Sequence, residues 1–91
     1  MPTISFFYGI FVRMYVRDHA PPHFHVIYAE HEAQIRISDG EVIEGSLPRN
    51  AARLVMEWTE LRRGLLMENW RRARDGRPLE KIAGLDAAEG Q

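Results

Sequence analysis

The sequence predicts an α+β domain, with a small antiparallel β-sheet of three to five strands over residues 4–45 followed by C-terminal α-helices over residues 47–76 packed on one face. Apolar residues alternate with polar ones as far as Gly45, and beyond it they recur with the 3.6-residue period of a helix. Turn signals at Gly9, Asp39-Gly40 and Gly45 divide the first part into short extended runs.

From Ile4 to Val16 the residues are almost all apolar, and Gly9 interrupts them after Tyr8, which reads as two strands joined there or one strand with a bulge. Beyond Gly9, Ile10, Val12, Met14 and Val16 share a face that should be buried, and Phe11, Arg13, Tyr15 and Arg17 share the other. Asp18 to Pro22 is a loop, since neither proline can donate a ladder hydrogen bond. In the strand from His23, Phe24, Val26 and Tyr28 should face the core, which leaves His23, His25 and Ile27 on the accessible face. Ala29 to Glu32 turns the chain into a strand where Ala33, Ile35 and Ile37 alternate with Gln34, Arg36 and Ser38. Asp39-Gly40 is a tight hairpin signal, and Val42-Ile43 supplies the next partner.

After Gly45, Ser46 is the expected N-cap and Pro48 falls in the first helical turn, where its missing N–H costs nothing. Ala51, Leu54, Val55, Trp58, Leu61 and Leu65 form the apolar stripe, and Leu66, Trp70 and Ala73 continue it to the C-cap signal Asp75-Gly76. Two helical segments with a bend near Arg63-Gly64 are expected. Leu79 to Ile82 is a docking segment, residues 1–82 form one domain, and residues 83–91 read as a frayed tail.

At 91 residues such a domain buries a modest share of its surface, which invites a homo-oligomer or a partner subunit. No apolar run approaches the ~20 residues of a membrane span and the N-terminus lacks a signal-peptide pattern, so cytoplasmic residence and no membrane contact are expected. The absence of cysteine excludes disulfides, thiolate catalysis and Cys-ligated zinc, leaving His and carboxylates for any metal. Residues 1–48 carry three Arg against six acids, whereas residues 49–81 carry nine Arg or Lys against five, so the C-terminal part is basic. A solvated helical face accounts for this, and so would contact with a nucleic-acid backbone or an acidic partner.

Three of the four histidines lie between Arg17 and Val26, which locates the candidate chemistry. In one reading His23 and His25, assisted by Arg17, act as metal-independent acid and base on RNA with no cofactor, while Arg13 and Arg36 bind phosphate and Tyr15 stacks a base. In a second, His23-x-His25 with Asp18 and His19 holds zinc or manganese, with nickel fitting the same donors. In a third, these residues only fix a loop, and the sheet edge or the Trp58 and Trp70 helices bind a second small protein, although tryptophans at helical spacing suit the core. His31, in a polar turn, has no role in any of them.

Met1 to Ser5, Tyr8-Gly9-Ile10, Asp18-His19, Pro21-Pro22-His23-Phe24-His25-Val26, Gly45 with Leu47-Pro48, Glu57-Trp58 and Asn69-Trp70 together make the chain resemble the bacterial family Domain of Unknown Function 4160 over roughly residues 1–82. The resemblance implies a short stand-alone protein encoded beside another small protein, an arrangement similar to toxin–antitoxin pairs, and it brings no catalytic residues. The order of elements is also similar to HicA-type RNA-cleaving toxins. This chain lacks their Gly-Ser-His strand motif, and fold order does not establish activity.

Overall fold

The computed structural model describes residues 3–15 and 17–87. It contains five strands, β1 (Thr3–Phe7), β2 (Ile10–Arg13), β3 (His23–Tyr28), β4 (His31–Arg36) and β5 (Val42–Gly45), and then one long helix, α1 (Arg49–Arg74). The strands form an antiparallel meander in the order β1-β2-β3-β4-β5. The α+β arrangement and the strand count follow the sequence pattern.

Short turns make the meander. Phe7 pairs with Ile10 across Tyr8-Gly9, whose φ values of 51° and 79° give a two-residue loop the twist that hairpins need. Gly45 meets a stricter demand, with φ at 74° and a backbone so close to β4 that a Cβ would collide with the Glu32 carbonyl oxygen. Gly45→Ala is therefore expected to cost at least ~2 kcal/mol, from left-handed backbone strain plus overpacking, read as a lower urea midpoint; an unchanged midpoint would show that β5 can slide away freely.

Residues paired across strands share a face, so the register sorts the sheet. Ile10, Val12, Phe24, Val26, Ala33 and Ile35 form the core side, all at most 2% exposed. α1 packs there, placing the Trp58 ring 5.1 Å from Phe7 and 5.7 Å edge-on from Phe24. Met14 joins this core as expected, whereas Val16 lies outside the described residues. On the opposite side Thr3, Arg13, His25, Gln34 and Glu44 line up in one cross-strand row, with Phe6, Phe11, Ile27 and Glu32 beside it.

Two details of the helix differ from the periodicity. The N-cap is Pro48, with no side-chain cap, rather than Ser46; its carbonyl accepts the Ala52 N–H and its absent N–H leaves nothing to satisfy. The apolar stripe is also narrower than expected, and Arg62, with φ −114° and ψ 16°, kinks the helix close to the expected bend. Ala51, Val55 and Trp58 before it and Leu66, Asn69, Trp70 and Ala73 after it are buried on one continuous face, and Leu61 and Leu65, on its flank, are half exposed.

The helix ends at Asp75-Gly76 as the C-cap signal requires, with the Gly76 and Arg77 amides bonded to the Ala73 and Arg72 carbonyls and Arg71, Arg72 and Arg74 in the last turn. The chain then runs back across β1. Buried Asn69 fixes it with reciprocal bonds to the Glu80 carbonyl (2.8 Å) and amide (2.9 Å), and the Ile82 amide donates to Ile4. Trp58 Nε1 and Arg62 Nε then donate to the Ala83 carbonyl, so docking extends into the segment read as a tail; residues 88–91 of it lie outside the described residues. No helix among the described residues is long and apolar enough to cross a membrane.

Candidate metal centre

The strand phase places His23 and His25 on the side opposite the aliphatic core, as expected, but neither is accessible. His23 is 1% exposed and His25 8%. The segment between β2 and β3 folds back over them. The Tyr15 ring lies 4.2 Å from the His25 ring, and the Trp70 ring of α1 stands 5.4 Å from His23. Two backbone bonds anchor this cover, from the Arg17 amide to the Ala73 carbonyl and from the Ile37 amide to the Pro22 carbonyl. Alternation predicts which face a residue takes, and only the tertiary path of the loop decides whether that face is wet.

Asp18 is the hub of the buried cluster. A single carboxylate oxygen, Asp18 Oδ2, lies 2.9 Å from His25 Nε2 and 3.0 Å from His23 Nε2. The second oxygen, Oδ1, accepts the His19 amide at 3.0 Å and stands 3.2 Å from His19 Nδ1. Burial alone raises the Asp18 pKa, but the bond from His25, the His19 amide and the nearby imidazoles outweigh it, and the net shift is downward.

The two imidazoles differ in what they can offer. His23 Nδ1 is 2.7 Å from the Pro21 carbonyl, which can only accept, so Nδ1 carries the proton and a neutral ring presents a bare lone pair at Nε2. That Nε2 is fully buried and without a hydrogen bond, out of line with Asp18 Oδ2 despite the short distance. A lone pair facing a carboxylate oxygen is repulsive unless a cation lies between them. A ring fixed by an Nδ1–H bond to a backbone carbonyl, with its other nitrogen left bare, is oriented as metal-ligating histidines are.

Asp18, His23 and His25 offer three ligand atoms within 4.8 Å of one another. Around a tetrahedral ion at ~2.0–2.1 Å the ligand atoms stand about 3.3 Å apart, so the observed 2.9 and 3.0 Å need only a few tenths of an ångström of opening. The donor set is two nitrogens and one oxygen, which suits Zn²⁺, Mn²⁺ or Fe²⁺. His19, its side chain 81% exposed, stands at the solvent side of Asp18 with its ring 5.7 Å from that of His23.

The arginines are not gathered at this cluster. Arg17 is exposed, with φ at 59° and its guanidinium toward Gly76 at the end of α1. Arg36 is held by Asp39 through Nε–Oδ1 (3.1 Å) and Nη2–Oδ2 (2.8 Å), contacts that raise the Arg36 pKa and lower that of Asp39. Arg13 alone sits directly opposite His25 across β2–β3, half-buried, with its Nε unpartnered. Trp70 against His23 and the Glu32 and Glu44 carboxylates beside His25 were not singled out from the sequence; the alternation of β4 marks Glu32 as sharing the His25 face, whereas nothing local marks Trp70.

No curated protein and no solved structure gives a match to this chain. The family described as Domain of unknown function (DUF4160) matches residues 9–71, a stretch that spans the histidine loop, the sheet from β2 onward and most of α1. The chain belongs to that family.

Proposed function

We propose that this domain binds one divalent transition-metal ion through Asp18 Oδ2, His23 Nε2 and His25 Nε2. The observation that carries the reading is the convergence of two buried imidazole nitrogens on one carboxylate oxygen, with His23 Nε2 left without a hydrogen bond. Three protein ligands leave a coordination position for water or substrate, and a bound ion supplies Lewis-acid chemistry there. His19, exposed, stands 3.2 Å from the other oxygen of Asp18. In this reading His23 and His25 are ligands rather than the metal-independent acid and base of an RNA-cleaving site, a role that suits two residues at most 8% exposed.

The test is elemental analysis of the purified protein, followed by calorimetric titration of metal-stripped protein with zinc and manganese. About one ion per chain is expected, with affinity at least ~100-fold lower in His23→Ala/His25→Ala. If the double variant stays folded by circular dichroism and binds either ion as tightly as the parent, the assignment fails.

A further inference from the structure

The sheet has two faces, and α1 covers only the aliphatic one. On the other, the Phe6 and Phe11 rings pair across β1–β2 with centroids 4.5 Å apart, yet Phe6 is 53% and Phe11 40% exposed. Ile27 extends this apolar row onto β3, and Glu32 ends it on β4. An exposed aromatic row rimmed by charge is the make-up of a contact surface.

The charges on this face are complementary but cannot meet within one chain. Arg13 forms no ion pair among the described residues, and its Nε is buried without a hydrogen bond; the Glu32 carboxylate forms no ion pair either. Arg13 stands two residues along β2 from Phe11, about 7 Å, whereas Glu32 lies two strands across from Phe11, about 10 Å. When two such sheets pack near-orthogonally about a two-fold axis over Phe11, the across-strand direction of one copy runs along the strands of the other. Of the two diagonal axes available, one lays Glu32 of each copy within about 3 Å, in projection, of Arg13 of the other, with Phe11 on Phe11. A second copy therefore supplies the counter-charge and the apolar cover together.

From this arrangement we propose that the open face of the sheet is the interface of a homodimer, with Phe6, Phe11 and Ile27 at its centre and reciprocal Arg13–Glu32 pairs beside them. Five strands of about five residues present roughly 24 Å by 17 Å, about 400 Å² in projection and more as corrugated accessible surface. That approaches the ~500 Å² per partner at which specific association begins, so a weak, reversible dimer is expected. The free edge of β5 is a poorer candidate, because symmetric antiparallel pairing through Val42 and Ile43 sets Glu41 against Glu44. Asp18, His23 and His25 take no part in the contact, so the dimer does not rest on the metal reading.

The experiment is sedimentation equilibrium of the full chain between about 5 and 500 µM, where reversible association from the 10.6 kDa monomer to twice that mass is expected. Arg13→Glu and Glu32→Arg should each weaken association at least ~10-fold, because each sets like charges opposite one another. An equimolar mixture of these two variants should associate again, since each copy then carries the charge that the other faces. Phe6→Thr/Phe11→Thr should be monomeric throughout, and the charge variants keep the test should that variant fail to fold. Metal-stripped and metal-loaded chain should associate alike, so this experiment and the metal titration fail separately. A parent that stays monomeric across the range, which would leave the face to a different partner, overturns the proposal. So does parent-like association of either charge variant, or a mixture of the two that remains monomeric.

Discussion

Asp18→Asn is expected to lower folding stability by about 1.5–3 kcal/mol at neutral pH and to cut zinc or manganese affinity at least ~10-fold, because one side chain serves both purposes. Among the described residues the carboxylate is the one acid in contact with two buried imidazoles, and its other oxygen holds the His19 amide. An amide of the same shape keeps one acceptor but removes the charge, and it can turn an NH₂ toward a nitrogen that offers a proton of its own. The pH dependence adds an independent check. Folding lowers the Asp18 pKa below its ordinary value of 3.8, so ionised Asp18 contributes stability that is complete above that value and is lost as the pH falls toward the folded-state pKa. The parent should therefore lose stability on acidification through this window more steeply than Asp18→Asn, measured as urea midpoints between about pH 5 and pH 2. Superimposable acid limbs, with equal midpoints at neutral pH, would mean that the carboxylate is structurally idle.

The second large effect is Trp58→Ala. Trp58 is 0% exposed, packs against Phe7 and edge-on against Phe24, and donates from Nε1 to the Ala83 carbonyl at 2.9 Å. Removing it opens a cavity between sheet and helix and also releases the chain that returns over β1. A cost of about 3–5 kcal/mol is expected for such a truncation. At roughly 0.05–0.15 kcal/mol per residue the whole domain holds only about 5–14 kcal/mol, so a substantial unfolded fraction near physiological temperature should be visible by calorimetry. Trp58→Phe separates the contributions, since it retains most of the packing and loses only the bond to Ala83, for about 1 kcal/mol. A melting temperature unchanged in Trp58→Ala would place the core elsewhere.

The sheet was legible in the sequence because period-two alternation and turn residues are local properties. Tyr8-Gly9 and Asp39-Gly40 each mark a chain reversal that the structure contains, and Gly45 marks the end of the last strand. Helix phase was legible along the whole of α1, since Ala51, Val55, Trp58, Leu66, Trp70 and Ala73 are all buried, and the miss lies in the width of the stripe: Leu61 and Leu65 sit on its flank, where apolar character alone does not say how far the sheet reaches. At the candidate site, sequence proximity brought Asp18, His23 and His25 together correctly. Their burial was hidden because Tyr15 and Trp70 cover them from separate elements. Arg36 and Arg17 look available for phosphate in the sequence; the Arg36–Asp39 fork and the path of Arg17 toward the end of α1 are three-dimensional facts.

The kink at Arg62 also divides labour within a single helix. The turns before it supply Trp58 to the sheet, and those after it supply Trp70 to His23 and the Ala73 carbonyl to Arg17. The distal turns also carry Leu66 in the core and Asn69 on the returning chain, so a change there reaches the imidazoles and the scaffold together, and the centre is tuned only as fast as the domain's foundation allows.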